Sequence, residues 1–302
     1  MDIVKEIEKL KKERNAVILV HNYQRPEVQD IADYLGDSLG LSIEASKTKA
    51  DVIVFCGVYF MAETAKIISP HKTVLIPDRE SGCPMADMVT ASQLRELKAK
   101  HPKAKVMCYV NTSAEVKAEC DICCTSANSI KVTQAAFKKD EEVIFVPDKY
   151  LADYTARQTG HDFIVWPGYC PTHAKILAED VVNARKQYPK ALVITHPECS
   201  RPVIEASDAA LSTEGLCRFV KQSKALEFIV GTEVAIIHRL QKENPDKKFY
   251  PVSDSIICPN MKKITLEKVL AALKENKHEV ILSEDIIRRA KKSIQAMLDI
   301  KI

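Results

Sequence analysis

The sequence carries no surplus of charge of either sign. Its 44 basic and 41 acidic residues leave +3 at neutral pH, so charge alone implies no nucleic-acid or membrane partner. Long hydrophobic runs are missing too. The longest uncharged apolar stretch, Val52 to Ala62, is too short to span a bilayer. The opening segment, MDIVKEIEKLKKER, is charged throughout and lacks the apolar core of a signal peptide. Val4, Ile7 and Leu10 recur there at helical spacing, which predicts an amphipathic surface helix. No linker or low-complexity stretch divides the chain, and its single tryptophan, Trp166 before Pro167, reads as packing. These absences predict a cytoplasmic protein without a membrane anchor. In that compartment the ten cysteines point to metal or reactive thiols rather than disulfides.

What is present is periodic. Cys83-Pro84, Cys170-Pro171 and Cys258-Pro259 are the only Cys-Pro dipeptides, 87 and 88 residues apart. His21, Tyr109 and His196 keep the same beat, as do Tyr23, Asn111 and Glu198, and Ser38, Ser126 and Thr213. A fixed period means a repeated structural unit. Three copies about a pseudo-three-fold axis bring these residues toward one centre.

Each unit opens with a short apolar run that stops at a polar triplet: Val17 to Val20 before His21, Val106 to Cys108 before Tyr109, Leu192 to Thr195 before His196. Such β-branched runs, without alternation, read as buried parallel strands. Helical stretches follow, for example Val28 to Leu35 and Ala114 to Cys120. Further strands recur at Asp51 to Phe55, Glu142 to Val146 and Phe228 to Val230, and others end at Pro77, Pro167 and Pro251, shortly before each Cys-Pro. The expected fold is therefore α/β: three αβα units with parallel sheets about a pseudo-three-fold axis. The units are expected at 1–85, 86–170 and 171–260, the first completed by C-terminal helices within 261–302. Ligands in such sheets sit beyond the carboxyl ends of the strands, where the polar triplets fall.

Thiolates select zinc, copper(I) or iron–sulfur. The periodic cysteines are too far apart in sequence for a local zinc knuckle, although Cys170 and His173 leave a Cys3His zinc site open. A four-iron cluster fits the three-fold pattern better: three thiolates bind three irons, and the fourth iron is a Lewis acid without a protein ligand. Cys120, Cys123 and Cys124 have the better local metal spacing, but no counterparts in the other units, and read as packing in a strand. Cys56, Cys108, Cys199 and Cys217 carry no pattern.

Ser38, Ser126 and Thr213 precede helical stretches, so they read as N-caps and, equally, as donors to an anion. His21, His173 and His196 are acid–base candidates. Glu198, at a strand end, is the first choice for a proton-moving carboxylate, with Tyr23 and Tyr109 as hydroxyl donors.

These residues occur within motifs that resemble the quinolinate synthase family over essentially the whole chain. The motifs are HNYQRPEVQDIADYLGDSL from His21, FMAETAKI from Phe60, GCPMA from Gly82 and YVNTSAE from Tyr109. CTSAN, YCPTH, HPEC, STEG, GTE and CPNMKK follow from Cys124, Tyr169, His196, Ser212, Gly231 and Cys258. The resemblance implies a [4Fe-4S] cluster on Cys83, Cys170 and Cys258. It implies condensation of iminoaspartate with dihydroxyacetone phosphate to quinolinate, with loss of phosphate and two waters, in de novo NAD biosynthesis. An aspartate-oxidising enzyme would supply the iminoaspartate. It places substrate contacts on His21, Ser38, Tyr109, Asn111, Ser126, His196, Glu198 and Thr213, with Tyr23 and His173 nearby. From the residues themselves, catalytic roles are expected of Glu198, Tyr23, His196 and Tyr109. Two features depart from the family pattern. Glu214 follows Thr213 where a small residue is expected, and the Cys-x-x-Cys-x-x-Cys segment of some members is absent after Cys258. A zinc-stabilised scaffold and an iron–sulfur hydro-lyase acting on a small dicarboxylate are the rival readings. Replacing Cys120, Cys123 and Cys124 together is expected to leave the iron content and visible spectrum of anaerobically purified protein unchanged. Loss of the iron in that triple variant would move the ligands away from the periodic cysteines.

Overall fold

The computed structural model describes residues 2–300. Among these residues twelve strands form three four-stranded, wholly parallel sheets. The first contains β1 (Ala16–His21), β2 (Tyr34–Gly36), β3 (Val52–Cys56) and β4 (Thr73–Leu75). The second contains β5 (Lys105–Tyr109), β6 (Ile122–Cys124), β7 (Val143–Val146) and β8 (Phe163–Val165). The third contains β9 (Leu192–Thr195), β10 (Ala209–Ala210), β11 (Glu227–Gly231) and β12 (Lys248–Pro251). Every sheet has the order second, first, third, fourth. With its flanking helices this is the expected α/β fold of three αβα units.

Sequence explains the layering. The runs VIVFC of β3 and VIFV of β7 are buried along their whole length, so each sheet needs helices on both faces. Helix Ile3–Glu13 and helix Leu266–Glu275 cover the outer face of the first sheet, with Ile7, Val269 and Leu273 against Ile18 and Val54. The inner faces of all three units share one large apolar cluster, running from Leu19 and Phe55 through Met107 and Phe145 to Ile194 and Phe228.

A carboxylate fixes the start of each unit. Asp33 accepts the Ile18 N–H at 2.8 Å, Asp121 the Val106 N–H at 2.8 Å, and Asp208 the Val193 N–H at 2.7 Å. Each aspartate also donates its own N–H to the carbonyl of the same residue. The three aspartates keep the 87–88-residue beat, a period not read from the sequence.

The structure differs from expectation in several elements. The stretch from Val28 to Leu35 is only one helical turn, Pro26–Gln29, followed by β2, and the helix at Ala114 ends at Lys117. The C-terminal helices divide between units. Helix Leu266–Glu275 belongs with the first sheet, but helix Glu284–Leu298 lies against β6, helix Ala114–Lys117 and helix Tyr59–Ile68. Its buried face, Ala290, Ser293, Ile294 and Met297, is what places it there; Ser293 Oγ donates to the Lys117 carbonyl at 2.9 Å. The segment between the two helices pairs antiparallel with the β4 edge through Leu75 and Glu279.

Replacing Asp121 by Ala leaves the Val106 N–H without its partner. Urea denaturation should show a loss of about 1–3 kcal/mol, and an unchanged midpoint would remove the carboxylate from the strand's stability.

Candidate active site

The three sheets direct their carboxyl ends at one cavity of about 180 Å³. All thirteen residues singled out in the sequence line it: His21, Tyr23, Ser38, Cys83, Tyr109, Asn111, Ser126, Cys170, His173, His196, Glu198, Thr213 and Cys258. Cys120, Cys123 and Cys124 do not; Cys123 and Cys124 are buried in β6.

Each periodic cysteine is followed three residues later by a 3-10 turn: Ala86–Met88, His173–Lys175 and Met261–Lys263. The turn directs backbone N–H groups at the sulfur, from Ala86 and Met85 to Cys83, from His173 to Cys170, and from Met261 and Asn260 to Cys258. Burial nevertheless dominates. It pushes the Cys83 thiol up to about 12 and raises the Cys170 and Cys258 thiols as well. Unpaired thiolates are therefore unstable here, and a bound cation would offset that cost while the amides satisfy the sulfurs. Among the described residues one set of three ligand atoms lies within 4.8 Å of one another, and it is Cys170, His173 and Glu198 rather than the three cysteines.

Two acids missed in the sequence support these loops. Glu233 and Asp148 are fully buried, each two residues beyond the end of its strand, β11 or β7. Glu233 accepts the Cys258 N–H at 3.2 Å and pairs with Lys262 at 2.8 Å. Asp148 caps helix Lys149–Thr159 through Oδ1 and sits against the Cys170 amide, although its Oδ2 completes no full hydrogen bond. Gly168 allows this approach, because a Cβ there would collide with the Pro147 carbonyl oxygen. Val58 occupies the equivalent place in the first unit, so the acids break the three-fold pattern. The Cys83 loop is tied instead to the Cys258 loop: Asn260 Nδ2 donates to the Gly82 carbonyl at 2.8 Å, and Ser81 Oγ to the Asn260 carbonyl at 2.9 Å.

Glu198 is the centre of the polar network. Its Oε1 accepts the Tyr109 hydroxyl at 2.7 Å, and its Oε2 lies 2.8 Å from His173 Nδ1, which also contacts Cys170 Sγ at 3.2 Å. Burial pushes its pKa up, but His173 and the Tyr109 hydroxyl outweigh that and hold it down to about 2. His173 Nε2 meets Thr232 Oγ1 at 2.8 Å, and Thr232 also contacts the Tyr23 hydroxyl. Burial and the Glu198 charge raise both tyrosines well above their usual range, so both remain hydroxyl donors. Burial lowers His196 to about 3, leaving it neutral. The Glu198 N–H donates to His196 Nδ1 at 3.2 Å, so the proton sits on Nε2, which donates to Ser126 Oγ at 3.1 Å. His21 repeats the pattern: it too is lowered to about 3 by burial, and its Nδ1 accepts the Tyr23 N–H at 3.2 Å.

The helix-start residues are placed one step from expectation. Asp37 and Ser212, not Ser38 and Thr213, cap their helices, accepting the Gly40 and Gly215 N–H groups. In the second unit Thr125 Oγ1 accepts the Ala127 N–H while Ser126 faces the cavity. With Asp37 and Ser212 capping, the Ser38 and Thr213 hydroxyls are free of that task, and Ser126 lies ahead of Asn128, the N-cap of its own helix. Glu214 leaves this turn intact and pairs outward with Arg239 at 2.8 Å. Asn111 Oδ1 is buried without a hydrogen-bond partner, an acceptor on the cavity wall.

The chain matches the family described as quinolinate synthetase A protein (NadA) over residues 5–299. It is 53% identical to the quinolinate synthase of Thermodesulfovibrio yellowstonii over 296 residues, covering 98% of this chain and 97% of that protein. It is 54% identical to that of Geobacter metallireducens over 298 residues, covering 99% and 97%. Quinolinate synthase 1 of Methanosarcina acetivorans is 52% identical over 301 residues, covering 100% and 98%. With three parallel sheets converging on this cavity, and a match spanning nearly its full length, the chain belongs to the quinolinate synthase family of enzymes.

Proposed function

We propose that the cavity condenses iminoaspartate with dihydroxyacetone phosphate to give quinolinate, phosphate and two waters, around a [4Fe-4S] cluster held by Cys83, Cys170 and Cys258. The observation that carries this reading is the repeated Cys-Pro loop, which brings three thiols, each with turn amides directed at it, to one wall of a cavity lined by hydroxyls and imidazoles. A single tetrahedral zinc holds its thiolates about 3.8 Å apart, and the three sulfurs are not a set of that compactness. A polynuclear group suits that wider spacing. When bound, the cluster supplies a Lewis-acidic iron without a protein ligand, suited to polarising a carbonyl or a leaving hydroxyl.

The remaining groups bind, orient and move protons. Ser38, Ser126 and Thr213 present hydroxyls to the anionic groups of the substrates. Asn111 Oδ1, lacking a partner, accepts from a substrate N–H or O–H. His21 and His196 are neutral donors from Nε2. Glu198 fixes Tyr109 and His173, and the relay His173–Thr232–Tyr23 carries a proton along the wall during tautomerisation and loss of water. Glu198 is the carboxylate this reading assigns to proton transfer, with Tyr23 as the second group. The iminoaspartate is an unstable imine, which favours supply by an aspartate-oxidising enzyme in the same compartment, here taken as the cytoplasm. No helix among the described residues is long and apolar enough to cross a membrane. The product assigns the enzyme to de novo NAD biosynthesis.

Cys83→Ser, Cys170→Ser and Cys258→Ser should each abolish activity and most of the bound iron, measured as iron content and visible absorbance after anaerobic purification. A fully active, iron-free preparation would exclude the cluster. Glu198→Gln places an NH₂ against the Tyr109 hydroxyl or His173 Nδ1–H, donor against donor. It should lower kcat by about 10²–10⁴ with the iron content retained; near-normal turnover would move the proton-transfer role to Tyr23 or a histidine.

A further inference from the structure

The Thr213 hydroxyl has its own orienting apparatus, built largely from residues outside the cavity. Thr213 Oγ1 accepts from Asn22 Nδ2 at 2.8 Å, and both residues are buried. An amide can turn either end to a hydroxyl, so this polarity needs a cause. The cause is Arg239, whose Nη1 donates to Asn22 Oδ1 at 2.8 Å. A guanidinium offers no acceptor, so Oδ1 must face it and the NH₂ must face Thr213. Arg239 is in turn held by Glu214, with Nη1–Oε2 at 2.8 Å and Nη2–Oε1 at 3.1 Å, and by Glu243, with Nε–Oε1 at 2.7 Å. Ser126 reaches the same state by another route, its oxygen receiving the Nε2–H of His196.

We propose that Asn22, Arg239 and Glu214 are positioning residues that fix the Thr213 hydroxyl as a donor into the cavity, selecting an oxyanion there, the phosphoryl group of the triose phosphate. With its lone pair engaged by Asn22, Thr213 Oγ keeps its proton for the cavity. The inference rests on the proposed condensation for the identity of the phosphoryl group. A hydroxyl free to rotate would instead divide its time between donating to an anion and donating to its neighbours. The device acts through the direction of a hydrogen bond, with no net charge added to the cavity.

The test uses anaerobically prepared holoenzyme, with inorganic phosphate and succinate as calorimetric probes and KM measured for each substrate. Thr213→Val removes the donor. Asn22→Asp offers only acceptors, so the hydroxyl turns back toward it. Both should weaken phosphate binding and raise the KM for triose phosphate roughly tenfold or more, with the visible spectrum unchanged. Arg239→Met should reproduce part of that loss, and Arg239→Lys, which restores a donor-only cation, should recover it. If Thr213→Val alone weakens phosphate while soluble, iron-loaded Asn22→Asp does not, the orienting role is overturned. If Thr213→Val leaves both probes and both KM values unchanged, the anion site in the proposed function fails instead. Loss confined to succinate and to the imino-acid KM assigns the hydroxyl to a carboxylate and overturns the phosphoryl assignment.

Discussion

The Glu198 carboxylate is the group around which the cavity's polar order is built. A charge removed from water must be saturated by hydrogen bonds. Here the donors come from a tyrosine of the second unit and a histidine that begins the third. Once those bonds are made, the proton of His173 is on Nδ1, its Nε2 is available to Thr232, and Thr232 reaches Tyr23 of the first unit. The Glu198 backbone N–H sets the tautomer of His196, and through it the orientation of Ser126. One buried charge thus links all three units. Its low pKa follows from the same contacts, which keep the carboxylate ionised between them.

The cysteine loops have a complementary logic. Three thiols are placed where burial disfavours the thiolate, yet each faces the amides of a short turn. The amides alone do not overcome desolvation, so without a bound cation the thiols stay protonated. The loops are not equivalent behind the sulfurs. Two rest on buried acids, while the third is tied sideways to its neighbour through Asn260 and Ser81. The pseudo-symmetry of the ligands is thus supported by asymmetric scaffolding.

The fold and the cavity lining were legible because they depend on features that recur at one period. Strand runs such as Val17–Val20 and the Cys-Pro loops must occupy the same place in each unit, and a place fixes a residue type. What escaped was local or unrepeated. β2 and β10 span only three and two residues, too short for any apolar pattern to rise above the neighbouring turns. The caps fell one residue early, because Asp37 and Ser212 cap as well as Ser38 and Thr213 would. Asp148 and Glu233 were hidden by Val58, since a pattern present in two units of three is not a three-fold pattern. Asp33, Asp121 and Asp208 did hold the beat, but lie amid other charged residues where an aspartate draws no notice. The second C-terminal helix packs on the second unit as well as the first, a division that could not be read in advance because sequence periodicity says which face is buried, not against what.

The sharing of one cavity by three units also has a temporal side. A ribosome delivers the chain from its amino end, so the first two sheets and their cysteine loops emerge well before the third. Cys258 and its acid Glu233 come late, and helix Glu284–Leu298, which joins the first unit to the second, comes last of all. Until the third sheet and its loops have formed, the cavity lacks the side that carries Thr213 and Cys258. Whatever the cavity receives can be sealed in its finished surroundings only after synthesis is essentially complete. A group that needs all three cysteines at once can therefore be held only after Cys258 has joined the fold.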